Sequence, residues 1–496
     1  MHTALLLDMA ADSAPDRLAL GTLSDGLTFA ETRRRARRGA AWLAERGGDT
    51  VAFLGLNSPA LPLAVFASGL LGKPFAPLNY RLPDADLRKL VARTAPSVAI
   101  VDDDMLSRVG ECPGVTAVTR SAFEAACAET EGDDPDLPHV EPDIGVLLFT
   151  SGTTGEPKAA ILRHSNLAAY VISTVEFLAS EEDEAALVSV PPYHIAGVSA
   201  VLTGVYAGRR IVHLETYSPE AWVETAATER ITHAMVVPTM LGQILDVLDR
   251  RGTALPHLKA LSYGGGRMPQ PVIERAMRLL PQVDFVNAYG LTETSSSVAV
   301  LGPEDHRAAM SSLDEAVRRR LGSVGRPLPS VELEIRGPDG EVLPAGQSGE
   351  IYVRGEQVSG EYTHKKAIQD DGWFATNDGG WLDEDGYLFV EGRLDDVIVR
   401  GGENISPGEI EDVLREHPGV ADVAVLGVPD DHWGERVAAA VVRRADAPSA
   451  EELAAWVKAR LRSTRTPEVW AFRDALPYND TGKLLRRQLR AEMAAV

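Results

Sequence analysis

Short apolar runs alternate with amphipathic stretches along the N-terminal part of this chain. Apolar runs such as Thr50–Leu54 and Val98–Val101 alternate with helical patterns such as Thr32–Glu45. A second series of apolar runs follows the acidic, proline-rich segment Glu129–Pro142. Its members are Gly145–Phe149, Ala186–Val190, Arg210–His213, His233–Val237, Ala260–Tyr263 and Asp284–Asn287. This alternation is typical of βα units around parallel sheets, so the pattern predicts an α/β fold with two βα-layered sheets.

The pattern changes from about Gly322 onwards. Short strands separated by Gly and Asp turns predict a small antiparallel β-barrel or meander, and these strands are Val331–Ile335, Gly349–Val353, Tyr387–Val390 and Val397–Val399. After Gly401 the pattern is mixed, with a helix from Pro407, strands Val423–Gly427 and Ala438–Val442, and helix Ala450–Leu461. A boundary within Gly392–Asp396 predicts a large N-terminal domain, 1–394, and a smaller α+β C-terminal domain, 395–496.

Composition narrows the function classes. The chain of 496 residues has 72 acidic and 49 basic side chains and a net charge of −23, which disfavours nucleic acid and anionic membranes as partners. The two cysteines, Cys112 and Cys127, lie in no disulfide framework or metal-binding pattern. No apolar run approaches the ~20 residues that cross a bilayer, and the N-terminus lacks the features of a signal peptide. We therefore expect a cytoplasmic protein without a membrane span.

The strongest chemical signal is the segment Thr150-Ser-Gly-Thr-Thr-Gly-Glu-Pro-Lys158, directly after an apolar run. Glycines and small hydroxyl residues allow a loop to close around phosphate oxygens with its N–H groups pointing inward. The segment differs from a Walker A loop because no Gly precedes Lys158 and no Ser or Thr follows it. Taken alone, it is either a phosphate-binding loop or a flexible surface loop.

Four further segments carry groups suited to nucleotide chemistry. They are Asn287-Ala-Tyr-Gly-Leu-Thr-Glu-Thr294, Thr376-Asn-Asp-Gly379, Gly392–Glu411 and Asn479-Asp-Thr-Gly-Lys483. The first combines an aromatic ring, a hydroxyl and a carboxylate, and a carboxylate is a ligand that Mg²⁺ accepts. Separately, each has an ordinary structural explanation, such as a core tyrosine before a helix cap or a lysine in a solvated turn.

In this order and at these distances the five segments resemble the adenylate-forming superfamily of acyl-CoA synthetases, peptide-synthetase adenylation domains and luciferases. The resemblance extends from about Asp16 to Lys483 and is greatest to an acyl- or aryl-CoA ligase. It implies a mobile C-terminal domain and an enzyme that uses ATP, Mg²⁺ and coenzyme A. Such an enzyme adenylates a carboxylic acid, releases pyrophosphate and transfers the acyl group to coenzyme A by domain alternation. An enzyme that loads a phosphopantetheine carrier protein and a non-catalytic nucleotide- or acyl-binding relative are the alternatives.

The resemblance also implies roles for individual residues. Phosphate binding is implied for Thr150, Ser151, Gly152, Thr153, Thr154, Gly155 and Lys158, and passage along the adenine for Gly264, Gly265 and Gly266. In the segment Asn287, Ala288, Tyr289 and Gly290, the tyrosine stacks on the adenine. Thr292 contacts the α-phosphate, Glu293 holds Mg²⁺, and Asp378 and Arg393 bind the ribose.

Lys483 resembles the catalytic lysine of the adenylation step, where an ammonium offsets the negative charge of two approaching anions. Asp395 matches the hinge position, and Gly401, Gly402 and Glu403 match the loop that lines the thiol tunnel after domain rotation. His194 matches the residue that gates the acyl pocket, with a satisfied core histidine as the alternative.

Three departures from the family pattern bear on the substrate and the turns. Asn377 replaces the usual Gly before Asp378, and Asn tolerates the left-handed conformation that such a turn needs. The usual Gly-Tyr-x-x-x-Pro stretch is Gly360-Glu-Tyr-Thr-His-Lys. The Ala-Pro-Leu-like segment that usually follows the adenine glycines is Arg267-Met-Pro. Amino-acid-activating members of the family keep an Asp near the start of the acyl-pocket segment. The matching stretch here, His194-Ile-Ala-Gly-Val, carries no acid, so an amino acid substrate is disfavoured because its ammonium would be unpaired.

The apolar residues Val198, Val237, Met240 and Leu291 favour an apolar acyl or aryl group. A benzoate, an o-succinylbenzoate-like acid and a medium-chain fatty acid all remain open as substrates. The oligomeric state, monomer or homodimer, is open as well.

Overall fold

The computed structural model describes residues 2–129, 137, 143–150, 158–430, 432–444, 447–478 and 484–494, apart from the side chains of Thr150 and Asn404. Within these residues the strands form four hydrogen-bonded sheets. Two of the sheets are built mainly from parallel strands with intervening helices, and one lies wholly in the C-terminal part. The α/β fold with a separate C-terminal unit is therefore confirmed.

The first sheet contains most of the strands that end at predicted site residues. Its strands are β1 (Leu18–Gly21), β2 (Gly26–Thr28), β9 (Ala185–Val188), β10 (Arg210–His213), β11 (His233–Val236), β12 (Ala260–Gly264), β13 (Asp284–Leu291), β14 (Ser296–Leu301) and β15 (Arg326–Pro327). They lie in the order β15-β14-β13-β12-β11-β9-β10-β1-β2. Neighbours from β13 to β1 are parallel, so the carboxyl ends of these strands share one edge.

The second sheet carries the predicted phosphate loop. Its strands are β3 (Thr50–Leu54), β4 (Phe75–Pro77), β5 (Ser97–Val101), β6 (Val115–Thr119), β7 (Ile144–Thr150), β8 (Lys158–Arg163), β18 (Glu361–Tyr362) and β19 (Lys365–Lys366). They lie in the order β19-β18-β8-β7-β4-β3-β5-β6. The central strands β3 and β5 are buried along their whole length, which explains their continuous apolar sequences.

Helices cover and separate these sheets. In the N-terminal part they are α1 (Ala4–Ser13), α2 (Phe29–Ala44), α3 (Ala60–Leu70), α4 (Asp84–Ala92), α5 (Leu106–Val109), α6 (Arg120–Ala128), α7 (His164–Thr174), α8 (Ile195–Tyr206), α9 (Pro219–Thr228), α10 (Pro238–Arg251), α11 (Gln270–Leu279), α12 (Pro303–Ser311) and α13 (Glu315–Arg319). One core cluster joins Phe53 of β3, Phe66 of α3 and Ile211 of β10, each with less than 2% of its surface exposed. The two parallel sheets therefore share a core through the helices between them.

The antiparallel unit predicted after Gly322 is a sheet of β16 (Glu332–Arg336), β17 (Gly349–Arg354), β20 (Phe374–Leu382) and β21 (Leu388–Arg393). The C-terminal unit contains β22 (Ile398–Arg400), β23 (Glu403–Ile405), β24 (Val420–Asp430), β25 (Gly434–Arg443), β26 (Val469–Arg473), α14 (Pro407–Arg415), α15 (Ala450–Lys458) and α16 (Arg486–Ala494).

One strand assignment from the sequence is wrong. The run Val397–Val399 was expected in the antiparallel barrel, but β22 pairs with β23 and β25 in the C-terminal sheet. The turn Gly401–Gly402 joins β22 to β23, and both glycines have positive φ, +59° and +87°. A two-residue turn of this conformation favours a hairpin. Apolar alternation identifies a strand but not its partner, and here the glycine turn decides the partner.

Candidate active site

Predicted site residues at the ends of four strands lie at the carboxyl edge of the first sheet. His194 comes shortly after β9, Val237 directly after β11, and Thr292 directly after β13, while Gly264 is the last residue of β12. Ligands of open α/β sheets bind at the carboxyl ends of the strands. The topology therefore brings residues expected to contact the acyl group, adenine and α-phosphate to one edge.

The Gly264–Gly266 segment allows the backbone to approach its neighbours closely. Gly264 lies opposite Ala288 in the β12–β13 ladder, and a Cβ at Gly264 would lie 2.3 Å from the Ala288 carbonyl oxygen. Gly265 has φ +78°, a conformation that costs glycine little. A side chain at Gly264 would push β12 and β13 apart at the level of the expected adenine site.

Three residues expected to bind the nucleoside, Tyr289, Asp378 and Arg393, are in contact. Tyr289 is about a hundred positions along the chain from the other two. The Tyr289 hydroxyl donates to Asp378 Oδ2 at 2.6 Å, and Arg393 Nε lies 3.1 Å from Asp378 Oδ1. Arg393 also donates to the Thr376 carbonyl oxygen at 2.8 Å. Burial, and then the Asp378 carboxylate, raises the pKa of Tyr289 well above its usual value, so the hydroxyl remains a donor.

This cluster is suited to a ribose. Asp378 and Arg393 face each other across the β20–β21 ladder, which places acceptor and donor side by side. A carboxylate has about four lone-pair sites, so Asp378 can accept from ribose hydroxyls while it keeps Tyr289 and Arg393. The sequence did not predict the bond between Tyr289 and Asp378, because residues so far apart in sequence show no common pattern.

Asn377 has the left-handed conformation that was expected from the missing glycine, with φ +60°. Its side chain does something that glycine cannot: Nδ2 donates to Oδ2 of Asp395 at 2.8 Å. Its backbone N–H donates to Glu350 Oε1 at 3.1 Å. The turn beside the ribose cluster is therefore tied directly to the predicted hinge residue.

Glu293 lies in a one-turn helix, Thr292–Thr294, that follows β13. Gly290 is required before this turn because a Cβ there would lie 1.8 Å from the Ser296 carbonyl oxygen. The Glu293 carboxylate accepts a hydrogen bond from the Tyr362 hydroxyl. Tyr362 was not predicted as a site residue, and its one signal in the sequence is the altered Gly360-Glu-Tyr stretch.

The predicted phosphate loop is bounded by two paired strands. Thr150 ends β7, Lys158 begins β8, and the two residues face each other in the antiparallel ladder. Residues 151–157 of the loop lie outside the described part of the chain. They include five predicted phosphate-binding residues, namely Ser151, Gly152, Thr153, Thr154 and Gly155. Lys483 lies outside it as well. Their roles remain predictions from the sequence.

The expected acyl-pocket residues differ in their surroundings. Val237 is largely buried, and a Cβ on Gly265 would touch its Cγ1 at 3.7 Å, so this side chain adjoins the adenine glycines. Met240 is buried in α10, the helix that Val237 precedes, whereas Val198 is fully buried in the main core. Leu291 is half-buried at the end of β13. Val237 is thus better placed than Val198 to contact a substrate.

His194 precedes α8, and its ring lies 4.5 Å from the Tyr193 ring, centroid to centroid. The residue is half-buried, unlike a fully enclosed core histidine. On the same helix, Ser199 Oγ donates to the Ser295 carbonyl oxygen at 3.2 Å, which links α8 to the turn that carries Glu293.

The loop expected to line the thiol tunnel lies in the C-terminal sheet. Gly401 packs under the Trp433 ring, where a Cβ would come within 2.8 Å. Glu403 Oε1 accepts from Arg465 at 2.9 Å, so the described structure gives Glu403 a partner within its own unit. Between the units, Arg267, which follows the adenine glycines, forms an ion pair with Asp412 of α14.

Magnesium fits the donors of this site. Among the residues that the structure describes, no cluster of three His, Cys, Asp or Glu side chains could hold a metal ion alone. Mg²⁺ typically binds through one or two carboxylates together with substrate phosphates. Glu293 can supply such a carboxylate, since one hydrogen bond from Tyr362 occupies only part of its acceptor capacity.

Two family models match separate parts of this chain. The family described as AMP-binding enzyme matches residues 7–363, and the AMP-binding enzyme C-terminal domain matches residues 409–483. A feruloyl-CoA synthase from an Amycolatopsis species is 36% identical over 97% of this chain and 96% of its own length. The indoleacetate–CoA ligase of Aromatoleum aromaticum is 33% identical over 98% of this chain and 97% of its own length.

A solved structure extends the similarity to three dimensions. The o-succinylbenzoate CoA synthetase of Bacillus subtilis, in complex with its acyl-adenylate intermediate, has a TM-score of 0.83 at 30% identity. The match covers 98% of this chain and 97% of that protein, which has also been solved with ATP and a magnesium ion.

Within the described residues, no helix has the length and apolar character needed to cross a membrane. The substrates are a small-molecule carboxylic acid, ATP and coenzyme A, and the metal cofactor is Mg²⁺. The chain belongs to the family of AMP-binding enzymes, as a ligase that activates a carboxylic acid as its acyl adenylate and transfers the acyl group to coenzyme A.

Proposed function

We propose that this ligase activates an aromatic carboxylic acid. The observation that carries the proposal is the apolar side chain of Val237 beside Gly265, with the buried Met240 in the helix that follows Val237. Apolar side chains there favour an uncharged ring or chain over a group that needs a polar partner. The three relatives described above are named after ferulic acid, indoleacetate and o-succinylbenzoate, and each of these acids contains an aromatic ring.

The proposed first half-reaction places two anions in contact. A carboxylate oxygen of the acid attacks the α-phosphorus of ATP, and the bond to the pyrophosphate leaving group breaks. We assign charge stabilisation in this step to Lys483, with Thr292 near the α-phosphate and the loop Thr150–Lys158 on the β- and γ-phosphates. A preorganised cation contributes most where negative charge develops in the transition state. Glu293 would hold Mg²⁺, which supplies positive charge to the phosphates when bound.

The remaining binding roles follow from the clusters already described. Tyr289 is assigned to the adenine, with Gly264 and Gly265 along its edge. Asp378 and Arg393 are assigned to the ribose hydroxyls, because their side chains present an acceptor and donors side by side. His194 is assigned to the entrance of the acyl pocket.

In the second half-reaction the thiol sulfur attacks the acyl carbonyl, the tetrahedral adduct collapses, and AMP leaves. We propose that the unit 395–496 rotates about Asp395 between the two steps, relative to the unit 1–394. This motion would withdraw Lys483 and bring the loop Gly401–Glu403 towards the acyl adenylate. The ion pair between Arg267 and Asp412 would break during such a rotation. We also assign the enzyme to the cytoplasm, where both free cysteines would stay reduced.

A change at Asn377 is expected to act on this hinge. In Asn377→Gly the turn keeps its left-handed conformation, but the donor to Asp395 is lost. An exposed hydrogen bond of this kind is worth up to about 1 kcal/mol, so acyl transfer should become about 2- to 5-fold faster if domain rotation limits it. The measurement is single-turnover thioester formation from supplied acyl adenylate. A transfer rate equal to that of the original chain would show that this bond does not restrain the hinge.

An acid panel tests the proposed substrate class. Hydroxycinnamates, indoleacetate, substituted benzoates and fatty acids of medium length are incubated with ATP and Mg²⁺, with and without coenzyme A. Pyrophosphate release and product mass are recorded for each acid. We expect the highest kcat/KM with an aromatic acid, and a fatty acid as the best substrate would overturn the proposal. Pyrophosphate release without any coenzyme A thioester would instead point to a carrier protein as the acceptor.

A further inference from the structure

The segment Ser359–Tyr362 forms hydrogen bonds with both the backbone carbonyl and the side-chain carboxylate of Glu293. The backbone N–H groups of Ser359 and Gly360 donate to the Glu293 carbonyl oxygen at 2.8 and 3.2 Å. The Tyr362 hydroxyl donates to Oε1 of the Glu293 carboxylate. Both the backbone position and the side-chain direction of Glu293 are therefore determined by one short segment from elsewhere in the chain.

This segment is in turn anchored to the strand that leaves the phosphate loop. Glu361 and Tyr362 form β18, which pairs with β8. Arg163 of β8 donates to Glu361 Oε2 from Nε at 3.0 Å and to Oε1 from Nη2 at 2.9 Å. A bidentate pair of this kind fixes orientation as well as distance. Since β8 begins at Lys158, the segment connects the base of the phosphate loop to Glu293.

Neighbouring side chains of a strand point to opposite faces, which explains why the two residues of β18 have different partners. Glu361 is directed to Arg163, and Tyr362 is directed to Glu293. The single residue between Gly360 and the aromatic ring is what places the tyrosine on the face of Glu293. Gly360 itself has φ +52° and makes the bend that precedes the strand.

The Tyr362 hydroxyl gives the Glu293 carboxylate one fixed hydrogen-bond partner. A free glutamate side chain must lose rotamer freedom when it takes up a metal-binding orientation. The Glu293 carboxylate is bonded to Tyr362, and the Glu293 backbone is bonded to Ser359 and Gly360. The side chain has therefore lost most of its rotamer freedom before ATP binds.

We propose that Tyr362 is a positioning residue that orients the Glu293 carboxylate towards the magnesium ion bound with ATP. The proposal rests on the proposed assignment of Glu293 as the Mg²⁺ ligand. It adds a residue that acts through Glu293 and does not itself contact the substrate. Loss of the Tyr362 hydroxyl should lower the affinity for ATP in the presence of Mg²⁺ more than the affinity for ATP without the metal.

The test compares ATP affinity with Mg²⁺ and with EDTA, measured by titration calorimetry in the absence of any acid. In Tyr362→Phe only the hydroxyl is removed. We expect the ratio of the two affinities to fall about 10-fold, the typical value of one charge-assisted hydrogen bond. The affinity for ATP in EDTA should stay within about 2-fold of the original chain. An unchanged affinity ratio would overturn the proposal.

A matched control is Tyr387→Phe. The Tyr387 hydroxyl donates to Asp305 Oδ1 at 2.6 Å, so this variant also removes a tyrosine–carboxylate bond, but away from Glu293. It should leave the affinity ratio unchanged. A similar fall in both variants would mean that the effect is a general loss of stability, and it would also overturn the proposal.

Glu293→Ala separates the two levels of the argument. If Glu293→Ala reduces the affinity ratio and Tyr362→Phe does not, the assignment of Glu293 stands and the role of Tyr362 is wrong. If Glu293→Ala leaves the ratio unchanged, the metal assignment itself fails. The double variant should show no further loss beyond Glu293→Ala, because Tyr362 acts only through that carboxylate.

Discussion

Lys483→Ala is expected to lose acyl-adenylate formation by about 100-fold or more, which is the typical cost of removing one preorganised charge-stabilising group. The reason is electrostatic: the acid and the α-phosphate both carry negative charge, and an ammonium between them offsets the charge of the transition state. Thioester formation from supplied acyl adenylate should survive, because that step breaks no phosphoanhydride bond. Pyrophosphate release and single-turnover thioester formation measure the two steps separately.

Lys458→Ala is the matched control for this variant. Lys458 is an exposed lysine in the last turn of α15, in the same C-terminal unit, and its removal should affect neither half-reaction. Equal loss of both half-reactions in Lys483→Ala would remove the assigned role of Lys483. Retention of full adenylation would remove it as well, and would point to another cation at the α-phosphate.

Asp378→Ala should raise the KM for ATP about 10- to 100-fold, corresponding to the loss of charged hydrogen bonds to the ribose. Its removal also leaves the Tyr289 hydroxyl and the Arg393 guanidinium without their shared acceptor. The effect should appear in ATP binding more than in the KM for the acid. Steady-state kinetics with each substrate varied in turn is the measurement.

Asp305→Ala controls for the general cost of removing an aspartate that accepts from a tyrosine. Its partner, Tyr387, donates at 2.6 Å, the same distance as in the pair of Tyr289 with Asp378. The control should lower the melting temperature without changing the KM for ATP. If Asp378→Ala behaved like the control, the ribose assignment would be wrong.

Local patterns were sufficient for most of the regular structure. The runs Thr50–Leu54 and Arg210–His213 were predicted with the bounds that the structure has. Each contains consecutive buried apolar residues, Val51–Leu54 and Ile211–Val212, as buried parallel strands do. The left-handed Asn377 was also predicted, since only a few residue types accept that conformation. Such features depend on neighbours along the chain, and a sequence displays those neighbours directly.

Contacts between residues that are distant along the chain were not predicted from the sequence. The strand at Val397–Val399 was found but was assigned to the wrong sheet, because alternation does not encode which strand lies alongside. The bonds of Tyr289 to Asp378, Tyr362 to Glu293 and Asn377 to Asp395 were not predicted for the same reason. Each depends on the distance between elements that only folding brings together.

By itself, the sequence determined the α/β class, the order of the five chemical segments and the family to which they belong, since these depend on residue type and spacing. The tertiary structure decided that Glu293 has Tyr362 as a partner, that Asp378 contacts both Tyr289 and Arg393, and that Val198 lies in the core while Val237 adjoins Gly265. Hydrogen bonds and burial act over a few ångströms in space, and separation along the chain carries almost no information about such distances.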